Sequence, residues 1–259
     1  MSSNRTEEPP TFRLLGIEVG DGIAVVTLDD PARRNALSLD MSDELVRTFD
    51  FLEASPDVRA VIVTGAPPAF CAGADLGQLA GADEHVLRRI YAGFVRAAQC
   101  SLFTVAAVNG AAVGAGINLA LACDVRIAGE RARFDSRFIE LGLHPGGGHT
   151  YLVQRAVSQS VAIALLLGGV AVDGKEAERL GLVLRCVPDG ALLETCRQLA
   201  RPAAAAPREL VRRCKASISH ATTSNLPATL ERELVDQLWS LSEPAFGERI
   251  AALQQRLAH

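Results

Sequence analysis

What the chain lacks already narrows its role. No apolar run is long enough to cross a membrane: the longest, residues 161–172, contains Gly168 and Gly169 and falls short of the roughly 20 residues that a span needs. Residues 1–10 are polar and end in Pro-Pro, so they read as a loose tail without secretory character, and a cytoplasmic protein is expected. Aromatic residues are scarce, with a single tryptophan, and no basic stripe stands out among 26 basic and 30 acidic residues. Without a stacking platform or a positive footprint, nucleic acid is not expected as a partner. The six cysteines include no Cys-x-x-Cys pair and no partnered histidines, which argues against structural zinc and fits free thiols in a reducing compartment. Nucleotide-binding fingerprints fail as well. Gly114-x-Gly116 is followed by Leu119 where a third glycine belongs, and no Gly-Lys-Ser/Thr closes a phosphate loop.

What is present is a chain of 259 residues, nearly half of them apolar, enough for one large domain or a core with a small appendage. Its centre is the stretch Asn109-Gly-Ala-Ala-Val-Gly-Ala-Gly-Ile-Asn-Leu-Ala-Leu-Ala-Cys-Asp. Residues 104–108 before it are apolar and largely β-branched, which predicts a buried strand; residues 117–123 predict an apolar helix. A strand, a glycine turn and a helix start present unpaired N–H groups at the positive end of a helix, suited to an oxygen that becomes anionic. Residues 60–65 followed by Ala69-Phe-Cys-Ala-Gly-Ala-Asp-Leu repeat the scheme. If the two strands are neighbours, two turns can aim two N–H groups at one oxygen.

Those two stretches, together with Leu119-Ala-Leu-Ala-Cys-Asp-Val-Arg-Ile-Ala, resemble the crotonase, or enoyl-CoA hydratase/isomerase, superfamily. Pro31-Ala-Arg-Arg-Asn-Ala-Leu-Ser, Leu141-Gly-Leu-His-Pro-Gly-Gly-Gly and Ala177-Glu-Arg-Leu-Gly-Leu-Val support the likeness, which runs from about Gly22 to the C-terminus. The resemblance implies an α/β fold: a spiral core of repeated ββα units over residues 11–200, and a C-terminal helical region over residues 201–259 that joins subunits into a homotrimer or a dimer of trimers. It also implies an acyl-CoA thioester as substrate, with CoA entering as part of that substrate and neither a metal nor a separate cofactor. It places the oxyanion-hole donors on the N–H groups of Ala74 and Ala115. Arg33, Ala36, Ala72, Asp75, Leu76 and Gly114 are carried over as substrate-side positions.

The acid–base half is different. A hydratase uses two carboxylates to hold a water and move its proton. At the two positions where relatives of this type carry glutamate, this chain has Asn118 and Phe138, neither of which exchanges a proton near neutral pH. Replacements are sought nearby: His144 first, then His149, Glu140 and Asp135, because an imidazole titrates in a useful range. Two readings stay open, an acyl-CoA enzyme with a substitute acid–base group and a protein of the same fold that only binds acyl-CoA. Cys71 is read as packing, Asp124 as a hydrogen-bonding residue at a helix end, and His85 as exposed.

Coarser expectations complete the reading. Asp21-Gly22 predicts a hairpin, and Ser38 or Asp40 caps a helix reaching about Glu53. Residues 83–100 predict a helix with Val86, Ile90, Phe94 and Ala97 inward. Residues 150–157 and 161–167 are expected helical, and 173–180 a short capped helix. Residues 203–206, between Pro202 and Pro207, are expected to form a hinge before helices at 208–217, 227–241 and 246–257. Leu238 and Trp239 are assigned to core or interface.

Overall fold

A computed structural model of the chain describes residues 11–257; the tail expected at residues 1–10 lies outside them. The hairpin forms as expected. Strands β1 (Leu15–Gly20) and β2 (Ile23–Leu28) pair antiparallel about Asp21 and Gly22, both of which have positive φ. Helix α1 (Leu39–Ala54) is capped by Ser38, whose hydroxyl accepts from the Met41 N–H at 3.1 Å.

Three successive ββα units then build the core. The first holds β3 (Ala60–Gly65), β4 (Ala69–Cys71), a single turn α2 (Leu76–Leu79) and α3 (Glu84–Ala98). The second holds β5 (Phe103–Val108), β6 (Ala111–Val113) and α4 (Ala115–Ala122). The third holds β7 (Val125–Gly129), β8 (Arg133–Asp135) and α5 (His149–Ala156). Each unit contributes its first strand to a six-stranded sheet, which also takes in β1, β2 and β10, and its second to a four-stranded sheet, which also takes in β9. The chain reaches those last strands through α6 (Gln159–Leu166), β9 (Val172–Asp173), α7 (Gly174–Arg179) and β10 (Arg185–Val187).

The continuous apolar runs of β3 and β5 are explained by burial on both faces, as parallel strands require. Val61 and Val63 face the main core under α1 and α3, whereas Ala60 and Ile62 face a second core. That second core is closed by α8 (Leu192–Ala205) through Leu192, Cys196, Ala200 and Ala204. Helix α8 straddles the boundary expected at residue 200, carries Pro202 inside it and runs to Ala205. The hinge expected over 203–206 is therefore confined to Ala206 and Pro207. The N–H that proline lacks removes one intrahelical bond near the C-terminal end, where the helix is about to stop anyway.

Beyond the break lie α9 (Arg208–Ala221), α10 (Leu226–Ser242) and α11 (Pro244–Leu257). Trp239 is partly covered, with the Arg213 guanidinium 4.3 Å from its ring centre, while Leu238 is exposed. Asp124 accepts from the N–H and hydroxyl of Thr104 and pairs with Lys215 at 2.7 Å, tying β5 to α9. Its structural reading fits that geometry. None of the helices among the described residues is long and apolar enough to cross a membrane.

Candidate active site

The adjacency that sequence left conditional is present. β3 and β5 are parallel neighbours, and so are β4 and β6, so the turns that follow them stand side by side. The fit is close: a Cβ added at Gly73 would lie 2.7 Å from the Val113 carbonyl and 3.7 Å from the Ala115 nitrogen. Helix α4 begins at Ala115, two residues earlier than its apolar pattern predicts. Gly114 supplies the positive φ of 49° that turns β6 directly into the helix. Ala115 is thus a first-turn residue whose N–H has no intrahelical acceptor. Among the described residues, neither the Ala74 nor the Ala115 N–H donates to a backbone carbonyl, whereas their neighbours Asp75 and Gly114 do, to Leu37 and Asp135.

Both alanines line a cavity of about 510 Å³. Its walls are apolar over most of their extent, with Leu79, Leu87, Ile90, Tyr91, Val113 and Leu141 among them. Of the substrate-side residues carried over from the resemblance, Ala72, Leu76 and Gly114 line this cavity. Arg33, Ala36 and Asp75 lie outside its wall. Arg33 is exposed and sits 3.9 Å from Asp75, and Asp75 caps α2 by accepting from the Gln78 N–H.

The candidate acid–base groups sort sharply. Glu140 is exposed, 3.8 Å from Arg137, and does not line the cavity. Asp135 is buried but is paired with Arg137 at 2.5 Å, likewise away from the wall. His144, placed first from sequence, lines the cavity but is exposed, and its Nδ1 donates to the carbonyl of Pro145 at 2.7 Å. His149, ranked behind it, is buried and engaged with both Asn118 and Phe138. Its Nδ1 is 2.5 Å from Asn118 Oδ1, and its ring meets the Phe138 ring edge-on with centroids 4.8 Å apart. The far nitrogen, Nε2, is 3.1 Å from Ser136 Oγ. Burial alone pushes the His149 pKa down to about 4, so the imidazole is neutral at physiological pH.

Local sequence explains how His149 gets there. Pro145 and three glycines carry the chain inward; Gly147, at φ 65°, passes so close that a Cβ would meet Phe94 at 2.5 Å. Helix α5 then starts at His149, one residue before the expected Thr150. Ser136 escaped sequence reading altogether, since a lone serine after a three-residue strand carries no pattern. Cys71 is fully buried and its thiol pKa is pushed up to about 12, so it stays protonated and serves as packing. Among the described residues, no group of three or more His, Cys, Asp or Glu is placed to hold a metal ion.

Comparison with known proteins agrees with this architecture. The enoyl-CoA hydratase/isomerase family model matches residues 18–241. A probable enoyl-CoA hydratase of Mycobacterium tuberculosis is 48% identical over 251 residues, covering 93% of this chain and 97% of its own length. A probable enoyl-CoA hydratase of Rhodobacter capsulatus is 37% identical, with 86% and 88% covered. Among solved structures, an enoyl-CoA hydratase from Bacillus anthracis superposes with a TM-score of 0.89 at 30% identity, over 94% of this chain and 97% of that one. The match spans the ββα units, both turns and the helices that follow, and on that ground the chain belongs to the enoyl-CoA hydratase/isomerase family, within the crotonase superfamily.

Proposed function

We propose that this protein is an acyl-CoA-processing enzyme whose Ala74 and Ala115 N–H groups hold the thioester oxygen as it gains negative charge. The observation that carries the reading is the pairing of two turns whose N–H groups lack backbone acceptors and border one apolar cavity. Such preorganised donors matter most where charge develops, and losing one costs roughly a hundredfold to a thousandfold in related chemistry. The acyl chain lies along the apolar wall, and CoA arrives as part of the substrate with no further cofactor. Arg33, Ala36 and Asp75, outside the cavity, remain candidates for the CoA side. Assembly as a homotrimer or dimer of trimers, and a cytoplasmic location, belong to the same reading. The exposed Leu230, Leu234 and Leu241 of α10 favour the assembly, since they leave an apolar helix face uncovered.

Ordinary enoyl-CoA hydration is not part of the proposal, because Asn118 and Phe138 leave no carboxylate pair to hold the water. The same observation favours a second reading, a non-catalytic acyl-CoA-binding protein. Calorimetric titration with CoA thioesters, and assays of a 2-enoyl-CoA for hydration, isomerisation and release of CoA thiol, separate the readings. The comparison proteins are Asn118→Glu/Phe138→Glu, with the carboxylates restored, and Gly116→Pro, with the α4 turn broken. Turnover of any CoA thioester above the Gly116→Pro level rules out the binder; binding without turnover rules out the enzyme. Absence of binding removes both.

A further inference from the structure

The polar chain through His149 has a defined direction. Asn118 Nδ2 donates to the carbonyl of Gly146 at 3.0 Å, and a carbonyl can only accept, so the amide is oriented with Oδ1 toward the imidazole. Oδ1 also only accepts, which puts the ring proton on His149 Nδ1. The lone pair of Nε2 is then left facing the Ser136 hydroxyl. A serine, a histidine that accepts its proton and a third group that fixes the tautomer form the arrangement that activates an oxygen nucleophile. An asparagine in the third position fails when its NH2 faces the ring and selects the wrong tautomer. Here the Gly146 carbonyl prevents that.

The placement is equally specific. Ser136, Asn118 and Phe138 line the cavity, while His149 is buried behind them and is hydrogen-bonded to the first two. Ser136 also stands beside the second turn. Gly114 donates to Asp135 at 2.9 Å, and the Ser136 carbonyl is 3.7 Å from the place a Gly114 Cβ would occupy. Nucleophile, orienting amide and two N–H donors thus line one cavity with the base directly behind them, and the nucleophile–base and base–orienter contacts, at 3.1 and 2.5 Å, are two of the geometric conditions for acyl transfer.

We propose that Ser136, His149 and Asn118 form a nucleophilic triad that hydrolyses the thioester of bound acyl-CoA; the proposal rests on the acyl-CoA reading above. Ser136 Oγ bonds to the carbonyl carbon as its proton passes to His149 Nε2, and the carbonyl electron pair moves onto the oxygen held by Ala74 and Ala115. Collapse breaks the C–S bond, and the departing sulfur takes the proton from His149 to leave as CoA thiol. A water then attacks the seryl ester, giving its proton to His149. The second collapse breaks the ester C–O bond, and Ser136 Oγ recovers the proton, releasing the carboxylic acid. No oxidant or reductant is involved.

The test uses the full chain with saturated acyl-CoAs (butyryl-, octanoyl- and lauroyl-CoA), which have no double bond to hydrate, so any thiol released reports hydrolysis. Binding is measured in parallel by calorimetry. The expected result is steady release of CoA thiol, lowered at least about a hundredfold in Ser136→Ala and in His149→Gln. Acid quenching is expected to trap the acyl group on the Ser136 peptide by mass spectrometry, and Ser136→Cys restores a trapped adduct. The adduct on the unaltered protein decides the matter even if a variant fails to fold. Binding without thiol release overturns the triad and leaves the acyl-CoA reading standing. Hydration of a 2-enoyl-CoA without thiol release, or an adduct only on exposed Cys214, likewise overturns the triad. No binding to any of the three overturns both.

Discussion

His149 Nδ1 and Asn118 Oδ1 lie 2.5 Å apart, and each side chain is almost wholly buried, so an imidazole is held neutral against the side-chain amide of α4. The sign of its effect on stability follows. Its pKa in the folded chain is about 4, below the ordinary 6.5, so between these values the unfolded chain binds a proton that the folded chain refuses. The contribution is complete above pH 6.5 and is lost as pH falls toward 4, by up to about 3 kcal/mol. Urea unfolding across this window is expected to show the decline, and His149→Gln to flatten that part of the profile.

Asn118→Asp places a carboxylate against Nδ1. An opposite charge in contact favours the imidazolium, so the His149 pKa is expected to rise by about 1–3 units. Titration of the ring protons by NMR measures it. A pKa left at about 4 would mean that the introduced carboxylate does not reach the ring.

Gly116 faces the opposite turn so closely that an added Cβ would lie 2.1 Å from the Cys71 carbonyl oxygen. Backbone cannot rotate away as a side chain can, so Gly116→Ala must push α4 off the first turn. A loss of about 1–3 kcal/mol is expected, together with weaker binding of CoA thioesters. Thermal melting and calorimetry read the two effects. Gly20→Ala, where nothing lies within 4 Å, is the control and is expected to change little.

Asn35 is fully buried and donates to the carbonyls of Ala66 and Ala69, both at 2.8 Å, while accepting from the Asp30 N–H. Asn35→Ala leaves these groups without partners at the entry to β4. About 2–3 kcal/mol of stability is expected to be lost, since each buried polar group left unpaired costs about 1–3 kcal/mol. Denaturant midpoints measure this, and the drop in affinity for a CoA thioester should follow it.

The amino-acid sequence by itself determined the local pieces and their order. Apolar β-branched runs specified β3 and β5, Asp-Gly specified the first hairpin, and small residues at Gly73, Gly114 and Gly116 marked where main chain would meet main chain. These signals act over a few neighbouring residues through dihedral preference and side-chain period, so they can be read in one dimension. The family was legible for the same reason, because its motifs are contiguous.

Tertiary structure alone decided the rest. Strands of three residues, such as β4, β6 and β8, are too short for a period to register and exist because their neighbours pair with them. The preference for His149 over His144 came from which side of the glycine loop turned inward, and Glu140 was removed by pointing to solvent. Asn118, Ser136 and His149 sit on three separate segments, α4, the loop after β8 and the start of α5. Their meeting depends on how those segments pack, and no spacing along the chain encodes the angle at which three side chains converge.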